Sequence, residues 1–287
     1  MPRTKPDDLT TVLITGNWVS EAMSGDFNIV EFKSVNIRGA YVIEGFSSVG
    51  LVGSITANYL VTLLDLEQFA VIDSPYLPSV SIVRNGIPHG PVRIYAGNIG
   101  GKKGDKVVVI VSEFEPPQEI MKELAQSIMD WVQHKRCSMV ISPEGIAAQS
   151  MESETEVEKK EEKKEDEVTV YGVGSTARAR SLLTKYEIPT FENGVVVGLA
   201  GVLLNEGVNR DFDVISILSE AHSDYPDARA AAAATEVIDK LLLHTNLDTK
   251  PLLEEAALIE QALKDINKKT GETEEIAKKR SKEIMYG

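Results

Sequence analysis

Two short polar segments hold the residues whose types and spacing could do chemistry. In the first, "YGVGSTARAR", Ser175 and Thr176 follow an apolar run, and Arg178 and Arg180 come at the start of an expected helix. Hydroxyl and backbone N–H groups at a helix N-terminus attract anions, and arginine adds positive charge. We therefore predict an anion-binding site at Ser175, Thr176 and Arg178. The alternative is that these arginines are solvated or pair with surface carboxylates.

The second segment, "SEAHSDYPDAR", places His222 just past an apolar strand, with Glu220, Asp224 and Asp227 close by. Ligands of open α/β sheets bind at the carboxyl ends of the strands, so this is the best enzymatic candidate in the chain. Combined with the first segment, it supports a nucleoside- or phosphate-handling enzyme. That hypothesis requires both segments to converge in one concave pocket. The alternative is a structural turn.

Other catalytic patterns are missing from the sequence. The four histidines show no metal-ligand spacing such as H-E-x-x-H, and no serine occupies a G-x-S-x-G elbow. The glycine-rich "EGFSSVGLVGS" has neither the G-x-G-x-x-G spacing nor the Gly-Lys-Ser/Thr ending of a nucleotide-binding loop. It predicts a close-packed turn between a strand and a helix. We predict no catalytic residue, no cofactor and no metal site.

Apolar runs of strand length alternate with helical stretches along most of the chain. The strand candidates cover residues 40–45, 68–73, 79–84, 92–97, 106–114, 137–142, 167–172 and 211–220. Helical patterns cover residues 51–64, 116–135, 175–186 and 226–244, and a further apolar stretch covers 194–207. This alternation predicts a layered α/β domain, with a largely parallel sheet and helices on both faces, at residues 1–247.

Two local patterns make specific predictions about the core. The run "KVVVIV" is apolar throughout, which is typical of a strand covered on both faces. In the helix that follows, apolar side chains recur every three or four residues and predict a buried stripe. The residues of that stripe are Ile120, Leu124, Ile128 and Trp131.

Composition limits the classes of partner. The 287-residue chain has a formal net charge of −14, which argues against nucleic acid, because phosphate contacts need clustered lysine and arginine. No apolar run reaches the roughly 20 residues of a membrane span, and the N-terminus lacks the apolar segment of a signal peptide. The single cysteine, Cys137, excludes an internal disulfide and is expected to be a small buried side chain. We expect a soluble, cytoplasmic protein.

Two segments depart from the α/β pattern. Residues 151–167, "MESETEVEKKEEKKEDE", are almost wholly charged, which predicts a mobile surface loop. Residues 248–287 predict a C-terminal helical arm. Its apolar residues form a short heptad-like seam that could pack on the domain or pair with another copy. The seam consists of Leu252, Ala256, Ile259, Leu263 and Ile266.

The chain closes with Met285, Tyr286 and Gly287. Methionine supplies a flexible apolar plug, and tyrosine supplies an aromatic ring with a hydroxyl group. The terminal glycine leaves the carboxylate unobstructed, so a lysine in a receiving pocket could pair with it. These three residues are the predicted partner-binding site.

Several motifs together resemble the archaeal branch of the proteasome assembly chaperone family. They occur in the family's order over roughly residues 41–243: "YVIEGFSSVGLVGSITANYLV", "VRIYAG", "VVVIVSEFEPP", "YGVGSTARARSLL", "GVVVGLAGVLLNEG" and "SEAHSDYPDARAAAA". The resemblance implies an α/β fold similar to nucleoside phosphorylases without their catalytic set, and it implies homo-oligomers. Two features depart from the family pattern: "GFSSVG" replaces a turn that often contains proline, and the charged loop is unusually long.

The resemblance also gives the C-terminal residues a partner. "MYG" is similar to the hydrophobic-tyrosine-X motif with which proteasomal activators and some of these chaperones end. It implies that Met285, Tyr286 and Gly287 enter pockets between α-subunits of the proteasome core particle. The expected function is therefore a non-enzymatic assembly chaperone, or an adaptor or activator of the finished particle.

Overall fold

The computed structural model describes residues 19–21, 26–99, 104–147 and 168–254. These residues build a mixed α/β fold, in which one large sheet lies between two layers of helices. The predicted charged loop at 151–167, most of the C-terminal arm and the residues Met285, Tyr286 and Gly287 lie outside the described residues.

The strands, in chain order, are β1 (Val19–Glu21), β2 (Asn28–Glu31), β3 (Tyr41–Gly45), β4 (Glu67–Asp73), β5 (Ile82–Arg84), β6 (Ile87–His89), β7 (Val92–Asn98), β8 (Lys106–Ser112), β9 (Met139–Ala147), β10 (Val170–Gly174) and β11 (Val214–Ala221). The helices are α1 (Val52–Leu63), α2 (Gln118–His134), α3 (Ala177–Lys185), α4 (Gly198–Arg210) and α5 (Ala228–Ile238). A 3₁₀ turn, Val49–Leu51, leads into α1, and a π-helical turn, Asp239–Leu243, continues α5.

Nine of the described strands form the main sheet, in the order β1-β2-β4-β7-β8-β3-β9-β11-β10. The four central strands, β8, β3, β9 and β11, are parallel, and the pairings outside them are antiparallel. The prediction of a largely parallel sheet was therefore wrong for the flanks. The connection between β7 and β8 is too short for the crossover that parallel strands need, so those two strands form a hairpin.

Helices cover both faces of the sheet, as the sequence predicted. Helices α2 and α4 pack on one face, and α1, α3 and α5 pack on the other. Strand β8 contributes to both cores: Val108 and Ile110 belong to the first, and Val107, Val109 and Val111 to the second. This confirms that "KVVVIV" is a strand covered on both faces.

The predicted buried stripe of α2 is also confirmed. Leu124, Ile128 and Trp131 are fully buried, and Ile120 is nearly so. Cys137 is a buried free thiol, and burial raises its pKa to about 12, so this group acts as a small apolar side chain. No described helix is both long and apolar enough to span a bilayer.

Three segments differ from their predicted form. The candidate strand at 79–84 contributes only β5, which pairs with β6 in a separate two-stranded sheet. Strand β2 was missed, because its apolar core is only two residues long. The apolar stretch at 194–207 begins as an exposed segment and turns into α4 at Gly198.

Candidate functional site

Ser175 and Thr176 lie before α3, at the end of β10, as predicted. The Ser175 hydroxyl donates to the carbonyl oxygen of Phe212 (2.8 Å) and accepts from the N–H of Val214 (2.9 Å). Thr176 is the N-cap of α3, and its hydroxyl oxygen accepts from the N–H of Ala179 (3.1 Å). Both hydroxyl groups are thus used to join β10, α3 and β11.

A carboxylate of the protein already occupies the start of α3. Asp213 contacts the Thr176 hydroxyl, and its carboxylate pairs with the guanidinium of Arg178 (Nε to Oδ2, 3.2 Å). Arg180 donates instead to the carbonyl oxygens of Gly174 and Ser175. An external anion would have to compete with Asp213, so anion binding at Ser175, Thr176 and Arg178 stays a prediction. We call Ser175, Thr176, Arg178 and Asp213 the amino-end corner.

His222 and Asp227 form a compact turn after β11. One oxygen of the Asp227 carboxylate accepts from the backbone N–H of His222 (3.0 Å) and lies 2.8 Å from Nδ1 of its ring. The other oxygen caps α5 by accepting from the N–H of Ala230 (3.0 Å). Burial acts to raise the pKa of Asp227, but these hydrogen bonds outweigh it and hold the pKa below its ordinary value. Tyr225 stacks on the His222 ring.

The two predicted polar segments do not converge. Asp213, which holds Arg178, precedes β11, and His222 follows it, so roughly 30 Å of strand separates them at about 3.3 Å per residue. A pocket containing both cannot form. The hypothesis of a nucleoside- or phosphate-handling enzyme was therefore wrong, because it required the arginines and the His222 turn to share one site.

The glycine-rich turn between β3 and α1 is close-packed, as predicted. A Cβ atom on Gly45 would lie 2.1 Å from the Cβ of Ala57, and one on Gly53 would lie 2.4 Å from the carbonyl oxygen of Phe46. Gly50 has a φ of +61°, a conformation that favours glycine. Its glycines therefore serve backbone packing.

The carboxyl ends of the parallel strands border a cavity of about 920 Å³, which we call the carboxyl-end cavity. Its walls come from residues 46–51, 115–116, 144–147, 194–199 and 223–226, together with Met121, Phe191 and Leu218. Small-molecule sites commonly measure roughly 300–1,000 Å³ and occur at this edge of open α/β sheets. Of the predicted chemical residues, Asp224 lies on its wall.

Two glutamates lie close together beside this cavity, and one of them lines it. Glu44, on β3, is fully buried, and one of its oxygens accepts from the N–H of Phe46 (2.8 Å). Glu144, on β9, is 9% exposed and lines the cavity. The Ser142 hydroxyl lies between them: it contacts the Glu44 carboxyl group and is 3.4 Å from Oε1 of Glu144.

Burial changes the protonation of this pair. It raises the pKa of Glu44 to about 7, although hydrogen bonds from Ser142 and Phe46 act in the opposite direction. Burial and then the charge of Glu44 raise the pKa of Glu144 well above its ordinary value, against hydrogen bonds from Ser48 and Ser142. Two carboxyl groups so placed resist ionising together. The pair therefore holds a proton to higher pH than an isolated glutamate does.

The sequence contained a signal for this pair. Glu44 in "YVIEG" and Glu144 in "ISPEG" are acidic residues inside otherwise apolar strands, each followed by glycine. Gly145 is required because a Cβ atom there would lie 2.0 Å from the carbonyl oxygen of Val49. Within the described residues, no group of three or more His, Cys, Asp or Glu side chains could hold a metal ion.

A comparison with protein families and curated sequences gives two matches. The model of the PAC2 family matches residues 42–267. An uncharacterized protein of Methanocaldococcus jannaschii is 29% identical over 248 residues, which are 85% of this chain and 92% of that protein.

Solved structures share the fold. Pyrococcus furiosus PbaA, described as an archaeal homolog of proteasome-assembly chaperone, is 28% identical with a TM-score of 0.71, covering 92% of this chain and 100% of its own. Pyrococcus furiosus PbaB, described as an archaeal proteasome activator, is 23% identical with a TM-score of 0.69, covering 84% of this chain and 99% of its own.

Proposed function

The chain belongs to the PAC2 family, and from that premise we propose that it is a non-enzymatic proteasome assembly chaperone, or an adaptor or activator of the core particle. The observation that carries this proposal is the similarity to PbaA over the whole of the PbaA chain. The separation of the two polar segments supports the non-enzymatic part. A likeness of the fold to nucleoside phosphorylases stays a prediction.

The proposed docking elements are Met285, Tyr286 and the Gly287 carboxylate, entering pockets between α-subunits of the core particle. A three-residue insertion is small, and we expect each one to bind weakly. A homo-oligomer would present several tails to one ring, which raises the effective concentration of each tail once the first has bound. Many weak insertions would then give firm binding.

The chain that leads into the arm, and the first described residues of the arm, contact the α/β domain. Asp239 accepts hydrogen bonds from the N–H (2.9 Å) and hydroxyl (2.8 Å) of Thr245. The Thr249 hydroxyl donates to Glu236 (2.7 Å), and Leu252, the first residue of the predicted seam, is only 2% exposed. The first arm residues therefore pack on the α/β domain. The division at 247/248 stays a prediction.

The test is co-sedimentation of full-length protein with core particles, and separately with isolated α-subunits, compared with a variant that lacks residues 285–287. We expect the deletion to abolish association while thermal unfolding of the body is unchanged. Binding to isolated α-subunits would favour an assembly chaperone, and binding to finished particles with increased peptide hydrolysis would favour an activator. Undiminished binding of the deletion variant would contradict the proposed docking mode.

A further inference from the structure

The carboxyl-end cavity has a strongly biased wall charge. Glu115, Glu144 and Asp224 line it, and no described residue of the wall is a lysine, arginine or histidine. An anionic ligand such as a phosphate ester would meet these carboxyl groups without a cation to offset them. The N-termini of α1 and α4, which have no side-chain cap, also lie at this wall.

Apart from three serines, the rest of the wall is apolar and partly aromatic. Phe46, Phe191 and Tyr225 supply rings, and Met121 supplies a flexible apolar side chain. Aromatic faces attract cations, and apolar walls hold the body of an organic ligand. The wall therefore suits a ligand that carries both an apolar body and a positive charge.

One buried carboxyl group of the wall is placed to pair with the charge of such a ligand. Glu144 is nine-tenths buried and lines the cavity, and it accepts hydrogen bonds from Ser48 and from Ser142, the latter at 3.4 Å from Oε1. A carboxylate has several acceptor sites, so an ammonium group in the cavity could donate a further, charge-assisted hydrogen bond to Glu144.

From this arrangement we propose that the carboxyl-end cavity binds a small organic amine, namely a protonated primary amine on an apolar aliphatic or aromatic body, with Glu144 as its charge partner. Binding energy comes from burial of the apolar body and from a charge-assisted hydrogen bond between ammonium and carboxylate. The proposal is independent of proteasome binding, since it uses only described residues of the α/β body.

Binding should be linked to protonation. The titratable groups that face Glu144 are Glu44, through Ser142, and Glu115, and both are acidic. An ammonium ion draws Glu144 into its charged form, so complex formation releases a proton wherever Glu144 is protonated in the free protein. Amine affinity should therefore rise as pH increases through the raised pKa range of the pair.

The test is calorimetric titration of the full-length protein with hexan-1-amine, hexan-1-ol and hexanoate at neutral pH. We expect the amine to bind at least about tenfold more tightly than the alcohol, and hexanoate to bind least well. Glu144→Gln should remove the advantage of the amine over the alcohol. Glu192→Gln, which removes an exposed carboxylate outside the wall, is the matched control. It should leave the advantage of the amine over the alcohol unchanged.

A second variant keeps the test from depending on one substitution. Glu115→Gln combined with Asp224→Asn removes the two exposed carboxylates of the wall, and it should weaken amine binding by a smaller factor than Glu144→Gln. Equal affinity for amine and alcohol, tighter binding of hexanoate, or full amine binding by Glu144→Gln would overturn the proposal. Tighter binding of Nα-acetyl-lysinamide than of hexan-1-amine would overturn the assignment to a free small molecule.

Discussion

The amino-end corner and the carboxyl-end cavity lie at opposite ends of β11, and they treat polar groups in opposite ways. At the corner, Ser175, Thr176 and Arg178 all have partners within the protein, with Asp213 as the central acceptor. At the cavity, Glu144 faces about 920 Å³ of open space beside a carboxyl group that resists ionisation. Polar residues at a turn therefore do not indicate a binding site by themselves. Whether they already have partners within the protein must be known as well.

The largest expected effect comes from adding a methyl group at the tight contact between Gly145 and Val49. Gly145→Ala would place a Cβ atom 2.0 Å from the carbonyl oxygen of Val49, so the turn before α1 must move. Overpacking of this kind typically costs about 1–3 kcal/mol, and we expect the upper part of that range in chemical denaturation. Gly90→Ala is the control, because no neighbouring atom of the described residues lies within 4 Å of the added Cβ. Equal stability of both variants would show that the contact can relax freely.

The second prediction concerns Glu44 and the pH dependence of the protein's stability. The pKa of Glu44 rises on folding from its ordinary 4.5 to about 7, so the folded state holds its proton more tightly than the unfolded state. The contribution of this proton to the free energy of unfolding is complete below pH 4.5, and it is lost as the pH rises towards 7. In Glu44→Gln, which can keep the hydrogen bonds to Phe46 and Ser142, this loss should shrink.

The measurement is the free energy of unfolding of wild type and Glu44→Gln at about pH 5 and about pH 8, on either side of the raised pKa. We expect the wild-type protein to lose more stability over this interval than the variant. Identical pH profiles would mean that Glu44 titrates in the folded protein as it does in the unfolded chain.

At the amino-end corner, the expected effects are smaller. Thr176→Ala removes the cap of α3 and a contact to Asp213, and loss of a helix cap typically costs about 1 kcal/mol. Thr176→Ser retains the hydroxyl group and is the matched control. An alanine variant as stable as the serine variant in denaturant titrations would contradict the capping role.

The smallest effect is expected at Arg178. Its side chain is 70% exposed, and exposed ion pairs are commonly worth about 0–1 kcal/mol. Arg178→Ala should therefore leave the unfolding midpoint almost unchanged. A loss larger than that of Thr176→Ala would show that the charge pair, and not the hydroxyl cap, holds Asp213 in place.

The same contrast explains what the sequence could predict. Local periodicity was enough for α2, whose apolar stripe is buried, and for β8, which is apolar on both faces. It was not enough for β2, which is only four residues long, or for strand direction, which depends on the length of each connection. Motif order was sufficient to predict a family resemblance, and the PAC2 match agrees with it.

The proximity of Glu44 and Glu144 could not be predicted from local sequence patterns, for a different reason. Glu44 and Glu144 are 100 positions apart in the chain, and they meet because β3 and β9 pair in parallel with Val42 opposite Val140. Burial raises the pKa of both groups, against hydrogen bonds from Ser142, which lies between them. The residue types could be read from the sequence, but strand order decided which of them became neighbours.

The most direct measurement for the proposed function is the affinity of full-length protein for assembled core particles, compared between wild type and Tyr286→Ala. Tyr76→Ala, which removes a half-exposed tyrosine of the body, is the matched control. We expect Tyr286→Ala to weaken binding by at least about tenfold, because loss of a buried aromatic anchor commonly costs 2 kcal/mol or more, and Tyr76→Ala to bind as wild type does. Equal affinity of wild type and Tyr286→Ala would contradict docking through the C-terminal tail.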